Sequence, residues 1–172
     1  MLSNYRVLDL SDERGQLAGL ILADLGAEVI LVEPPGGSRS RKLGPFVDQR
    51  DGDPEASLWF WSYNRGKRSI ALDLSDSNNH TRIHELAKTA DVIIESSDVG
   101  VMKALNLDYE ALAAVNPELI YVSISAFGQS GPKAKWVATD ITVASAAMQM
   151  SMQGDEDRAP LRIPLDQTFL HA

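Results

Sequence analysis

The sequence predicts an α/β fold, a Rossmann-like, doubly wound, mostly parallel sheet flanked by helices. Three observations predict it. Short apolar runs rich in β-branched residues recur along the chain, and helix-like segments fall between them. The first strand, helix and second strand fit within about thirty residues, the size of a βαβ unit. The strands are apolar almost throughout rather than alternating, which suits a parallel sheet covered on both faces.

Taken in order, Tyr5–Leu10 (YRVLDL) reads as the first strand, and the polar stretch Ser11–Gly15 ends it. Gln16–Leu25 (QLAGLILADL) reads as an apolar helix closed by Gly26. Ala27–Glu33 (AEVILVE) is the second strand, stopped by Pro34-Pro35-Gly36-Gly37. Residues 34–56 read as a long polar loop, a kind of segment that is either functional or disordered. Leu58–Tyr63 (LWFWSY) is an aromatic cluster expected in a core or a subunit interface. The turn Asn64-Arg65-Gly66-Lys67-Arg68 leads into a third strand, Ser69–Leu74, and Asp76 is placed to cap a helix running to Thr89. Asp91–Glu95 and Glu118–Ser123 are the fourth and fifth strands, with helical segments near 101–114 between them. Ile141–Met152 reads as a helix, and another begins near Gln167. The apolar stretch Phe169-Leu170-His171-Ala172 lacks helix-closing signals, so the chain is expected to be part of a longer protein.

Composition narrows the function. With 16 basic and 24 acidic residues the net charge is −8, which argues against a general nucleic-acid surface but leaves room for a local basic patch. There is no cysteine, so thiolate chemistry, disulfides and Cys-based metal sites are excluded for this sequence. Acidic residues follow the N-terminus too soon for a signal peptide, and no apolar run approaches the roughly 18 residues of a membrane span. A soluble, cytoplasmic domain is expected.

Two common constellations fit poorly. A dinucleotide site needs G-x-G-x-x-G after the first strand, so that backbone approaches a pyrophosphate. Here the turn is Ser11-Asp12-Glu13-Arg14-Gly15, and its carboxylates repel phosphate, although Glu33 stands where a ribose-binding acid belongs. A nicotinamide-dependent oxidoreductase is therefore a distant alternative. His80 and His84 lie four apart on a predicted helix, but Thr81 replaces the glutamate of H-E-x-x-H and no third ligand follows. No metal site is assigned.

A third constellation is distributed along the chain. It comprises Val7–Leu10 with ILADLGAEVILVE (Ile21–Glu33) and Pro34-Pro35-Gly36-Gly37; NRGKRSIALD (Asn64–Asp73); ADVIIE (Ala90–Glu95) followed by Gly100; and Leu107–Ala114, Asn116-Pro117, Ile120–Ser123 and FGQSGP (Phe127–Pro132). In order and spacing these segments resemble the family III CoA-transferases, the formyl-CoA transferase and carnitine-CoA transferase (CaiB/BaiF) group. The resemblance covers most of the chain. Each segment alone is a weak signal; four in sequence are specific.

The resemblance implies a reaction, a site and an assembly. Members move CoA between an acyl-CoA and a free carboxylic acid, an aspartate forming a mixed anhydride and then a CoA thioester. Residues 1–172 would hold the N-terminal part of the CoA-binding large domain, with the small domain and the C-terminal segment absent. Two chains would interlock as a homodimer, or as a hetero-oligomer, with no nucleic-acid or membrane partner. Coenzyme A is the expected substrate, and its phosphates suit cations and free backbone N–H groups. The loop cations Arg39, Arg41, Arg65, Lys67 and Arg68 are expected to meet it, joined by Lys42 in the same basic group. Leu72, Ser96, Ser97, Gly128 and Gln129 are the further positions implied as CoA contacts.

The resemblance implies a nucleophilic aspartate a little beyond FGQSGP, near a helix start and four residues before a glycine, and Asp166 is the candidate in this stretch. Counting without gaps from FGQSGP reaches Phe169 instead, so Asp166 needs a three-residue gap, and it equally suits a helix N-cap. The family's Asn-Phe-Arg after the fourth strand is Ser96-Ser97-Asp98 here, which removes an aromatic and a cation and adds a carboxylate. These departures keep open a catalytically inactive CoA-transferase-like subunit, one that binds CoA or supports a partner. Acyl-CoA racemases of the same superfamily use a histidine where Ala138-Thr139-Asp140 stands, so α-proton exchange is disfavoured.

Overall fold

Strand-forming residues define the frame of the computed structural model, which describes residues 1–162. Five short strands, β1 (Arg6–Leu10), β2 (Glu28–Glu33), β3 (Arg68–Ala71), β4 (Val92–Glu95) and β5 (Ile120–Ser123), form one sheet in the order β3-β2-β1-β4-β5. Every pairing is parallel; Asp9 lies between Leu31 of β2 and Ile94 of β4. The connections from β1 and β4 leave in opposite directions across the sheet, so the topological switch point lies between these two strands. In such sheets ligands bind outside the C-terminal strand ends at that point. The expected α/β fold is what the chain adopts.

The helices are α1 (Gln16–Asp24), α2 (Leu58–Asn64), α3 (Ser77–Ala87), α4 (Val101–Ala104), α5 (Tyr109–Ala113) and α6 (Asp140–Ala146). Gly26 closes α1 with φ +100°, a conformation that favours a residue without Cβ. Alternation in β1 sends Leu8 into a core with Ile83, Ile93, Leu107 and Leu112, and Val7 into a smaller core with Val29, Ile94 and Ala18 of α1. Asp9 shares the face of Val7 and is fully buried. No helix among the described residues is long and apolar enough to cross a membrane.

The structure refines some elements of the sequence reading and shortens others. The aromatic run is a helix, because Ser57 caps it by accepting from the Phe60 N–H at 3.1 Å. Its side chains are only partly covered, and Trp61 is half exposed. β3 stops at Ala71, although Leu72 still donates its N–H to the Glu33 carbonyl at 2.8 Å. The segment 101–114 is two short helices, separated by Asn106 in the left-handed region (φ 57°) and by the Asp108 cap. The helix expected to reach Met152 ends at Ala146; Met148 at φ 60° breaks it before a short 3₁₀ turn, Gln149–Met152.

The chain divides into two compact units, Met1–Ser125 with the whole sheet, and a second that begins at Ala126. In the second, a capping box joins Thr139 and Thr142 at the start of α6, and Arg162 pairs with Asp140 at 3.6 Å.

Candidate active-site crevice

The C-terminal ends of β1 and β4 carry two polar loops, residues 11–15 and 96–100, that meet at the switch point. Asp12 joins them. Its N–H donates to Ser96 Oγ at 2.9 Å, and the Ser96 hydroxyl donates back to Asp12 Oδ1 at 2.7 Å. Arg14 then grips Asp12 through Nε, at 3.0 and 2.9 Å from the two carboxylate oxygens, and reaches Asp98 with Nη1 at 3.1 Å. The hydrogen bond to Asp12, against a smaller opposing effect of burial, raises the already high pKa of Arg14. The carboxylate that Asp98 introduces is thus balanced by a cation from the neighbouring loop.

Beneath the loop lies a buried polar network. Lys67 Nζ donates to Asp9 Oδ2 (2.8 Å), to the Gln16 carbonyl (2.8 Å) and to Asn64 Oδ1 (2.9 Å). The Asn64 amide in turn donates to Gln16 Oε1 at 2.9 Å. Asp9 Oδ1 accepts from the N–H of Ser11 at 3.0 Å and from its hydroxyl at 2.5 Å. Burial lowers the pKa of Lys67, and the adjoining Asp9 carboxylate opposes that. Gly19 makes room for the pair, since a Cβ there would lie 2.2 Å from Asp9 Oδ2.

A second ion pair organises the loop after β2. Glu33, buried at the strand end, accepts from Arg41 Nε at 2.7 Å and Nη2 at 2.9 Å, from the Ser38 N–H at 2.9 Å and from Ser69 Oγ at 2.5 Å. Burial alone raises its pKa, but these donors outweigh it and hold the carboxyl at about 2. The Arg41 guanidinium also stacks on the Phe60 ring, 3.7 Å from its centroid, and bonds Glu55 at 2.8 Å. That stack ties the 34–56 loop to α2.

The expected basic group is therefore divided. Arg39, Arg41 and Lys42 follow β2 and lie at the C-terminal edge of the sheet; Arg41 is committed to Glu33, whereas Arg39, with a 3.3 Å contact to Glu13, and Lys42 are exposed. Arg65 and Arg68 precede or begin β3 and pair with Asp24 at the end of α1 and Glu28 at the start of β2, at the opposite edge. Lys67 spends its three N–H donors internally. Leu72 packs in the larger core, and Ser96 is buried against Asp12. Ser97 follows β4 and donates its N–H to Glu95 at 2.7 Å. Gly128, at φ 81°, and Gln129 are exposed in the second unit. Asp166 lies outside the described residues.

His80 and His84 point their Nε2 atoms at the carbonyls of Leu74 and Asn106, at 2.7 and 3.1 Å. Among the described residues no group of three possible ligands is placed to hold a metal. Sequence reasoning missed Asp9, Ser11, Arg14, Gln16 and Asn64. The available signal was an aspartate inside an apolar strand and a glycine inside the first helix.

Residues 2–170 match CoA-transferase family III, which is nearly the whole chain. The chain belongs to CoA-transferase family III. It is 42% identical over 164 residues to succinate–glutarate CoA-transferase of Agrobacterium fabrum, covering 94% of this chain and 41% of that protein. Acetyl-CoA:oxalate CoA-transferase of Acetobacter aceti is 43% identical over 159 residues, covering 91% and 39%. A CAIB/BAIF family protein from Brucella suis superposes with a TM-score of 0.87 at 37% identity, over 95% of this chain and 43% of that one. This family III chain thus spans about two fifths of the length of the curated relatives it matches.

Proposed function

We propose that this chain provides the N-terminal, CoA-binding part of an enzyme that moves CoA between an acyl-CoA thioester and a free carboxylic acid. What carries the reading is the family match over residues 2–170, together with a parallel sheet whose switch-point loops meet beside β1 and β4. In this reading the crevice above Ser11–Gly15 and Ser96–Gly100 receives the cofactor portion of the thioester. Arg39 is the cation at the C-terminal edge best placed to exchange its long contact with Glu13 for a phosphate. The Ser97 segment, Gly128 and Gln129 are proposed as further contacts on the resemblance. Arg65 and Arg68 have less support, because they sit at the other edge of the sheet.

The carboxylate of Asp166 attacks the donor thioester carbonyl and CoA thiolate leaves, giving a mixed anhydride. The thiolate then attacks the aspartyl carbonyl and releases the first acid, leaving an aspartyl-CoA thioester. The acceptor carboxylate repeats these steps in reverse. The assembly is proposed to be cytoplasmic and to interlock as a homodimer or hetero-oligomer; one relative at 34% identity, from Thauera aromatica, is named as a subunit of succinyl-CoA:(R)-benzylsuccinate CoA-transferase.

Mass spectrometry of the full-length gene product, incubated with succinyl-CoA and hydroxylamine, tests the assignment. An aspartyl hydroxamate at Asp166 supports it. Transfer with a hydroxamate elsewhere moves the nucleophile, and CoA binding without transfer or hydroxamate identifies the supporting-subunit reading instead.

A further inference from the structure

Lys67 sits in a turn whose sequence suggests a phosphate contact, yet its ammonium is enclosed. Its side chain is 1% exposed and that of Asp9 is 0% exposed. Its three N–H donors meet acceptors from three separate elements, Asp9 of β1, the first carbonyl of α1 and Asn64 at the end of α2. An ammonium has no fourth donor to offer a ligand.

The geometry instead leads outward through its partners. The oxygen of Asp9 that Lys67 leaves free takes both the N–H and the hydroxyl of Ser11, the first residue after β1. Gln16, at the other end of the same loop, is held by Lys67 at its carbonyl and by Asn64 at its side chain. Both ends of the 11–15 loop therefore rest on one buried charge. Within that loop stand Asp12 and Arg14, which face the β4 loop across the switch point.

We propose that Lys67 is a positioning residue: through Asp9, Gln16 and Asn64 it sets the conformation of the 11–15 loop that walls the crevice, and it does not touch CoA. This rests on the functional reading above. A purely structural role predicts lost stability and nothing else. A positioning role predicts that stability and substrate affinity can be separated, because replacing the whole pair by apolar residues restores burial but not the anchor of Ser11.

The test uses the full-length gene product with an acyl-CoA and an acceptor acid. Lys67→Met, Asp9→Leu/Lys67→Met and Ser11→Ala are compared by urea unfolding and by steady-state kinetics. Lys67→Met is expected to lose stability, and the double variant to regain most of it. In both, KM for the acyl-CoA stays raised at least ten-fold, with kcat less affected; Ser11→Ala, which removes one anchor only, shows a smaller rise in KM. A double variant with both wild-type stability and wild-type KM overturns the proposal. Reductive methylation with formaldehyde gives an independent readout should Lys67→Met fail to fold. Lys67 of the wild type is expected to stay unmodified with or without CoA, whereas modification that CoA blocks reveals direct contact and overturns the proposal. A wild-type protein that neither binds CoA nor transfers it overturns the functional reading, and this inference with it.

Discussion

Acid should weaken the anchor of the loop after β2, and Glu33 supplies the magnitude. Its carboxyl is held at about 2 in the folded protein, against 4.5 for the unperturbed group. The folded state therefore binds fewer protons than the unfolded chain as pH falls through this range. The sign follows: stabilisation by the charged form is complete above the unfolded value and lost as pH drops towards 2. A difference of 2.5 units corresponds to about 3 kcal/mol, of which about 2 kcal/mol should be gone by pH 3. Glu33→Gln keeps the shape and removes the titration. Urea midpoints of wild type and Glu33→Gln, measured from pH 6 to pH 3, should converge by that amount. Parallel curves would refute the reasoning. NMR titration of the Glu33 carboxyl in the wild type gives the same information without the variant, and a midpoint near 4.5 would show that Arg41, Ser69 and Ser38 do not hold it down.

Two further outcomes follow from close contacts. Gly19→Ala should destabilise the protein by about 2 kcal/mol despite alanine's better helix propensity, because its Cβ would meet Asp9 at 2.2 Å and Lys67 Nζ at 3.0 Å; a raised melting temperature would contradict the packing. Arg41→Lys should cost about 1–3 kcal/mol, since a point charge replaces neither the two-pronged grip on Glu33 nor the stack on Phe60. Chemical denaturation measures it, and an unchanged midpoint would show that charge alone sufficed.

The sequence by itself determined the strands and their direction. Runs such as Val29–Val32 and Val92–Ile94 are apolar on both faces, which a covered parallel sheet accommodates, and the interleaved helices supply the cover. It also carried the family likeness, in segments such as ILADLGAEVILVE and NRGKRSIALD whose order along the chain matches. Local order was less legible where two preferences compete. The aromatic run Leu58–Tyr63 has strand-forming residues, but the Ser57 cap makes it a helix. Met148 has no sequence signal for the left-handed backbone that ends α6.

Only the tertiary structure decided what the charges do. In sequence, Arg39, Arg41, Arg65, Lys67 and Arg68 look alike, as cations in polar turns. Folding separates them by the strand end at which each lies and by the acid each meets. Arg41 finds Glu33, Lys67 finds Asp9 across 58 positions, and Arg65 and Arg68 are drawn to Asp24 and Glu28 at the far edge. A charge can be buried only beside its partner, and partners so distant in sequence meet only when β1, α1 and the turn before β3 pack together. The same packing turns Asp9, an anomaly in an apolar strand, into the anchor of the crevice loop.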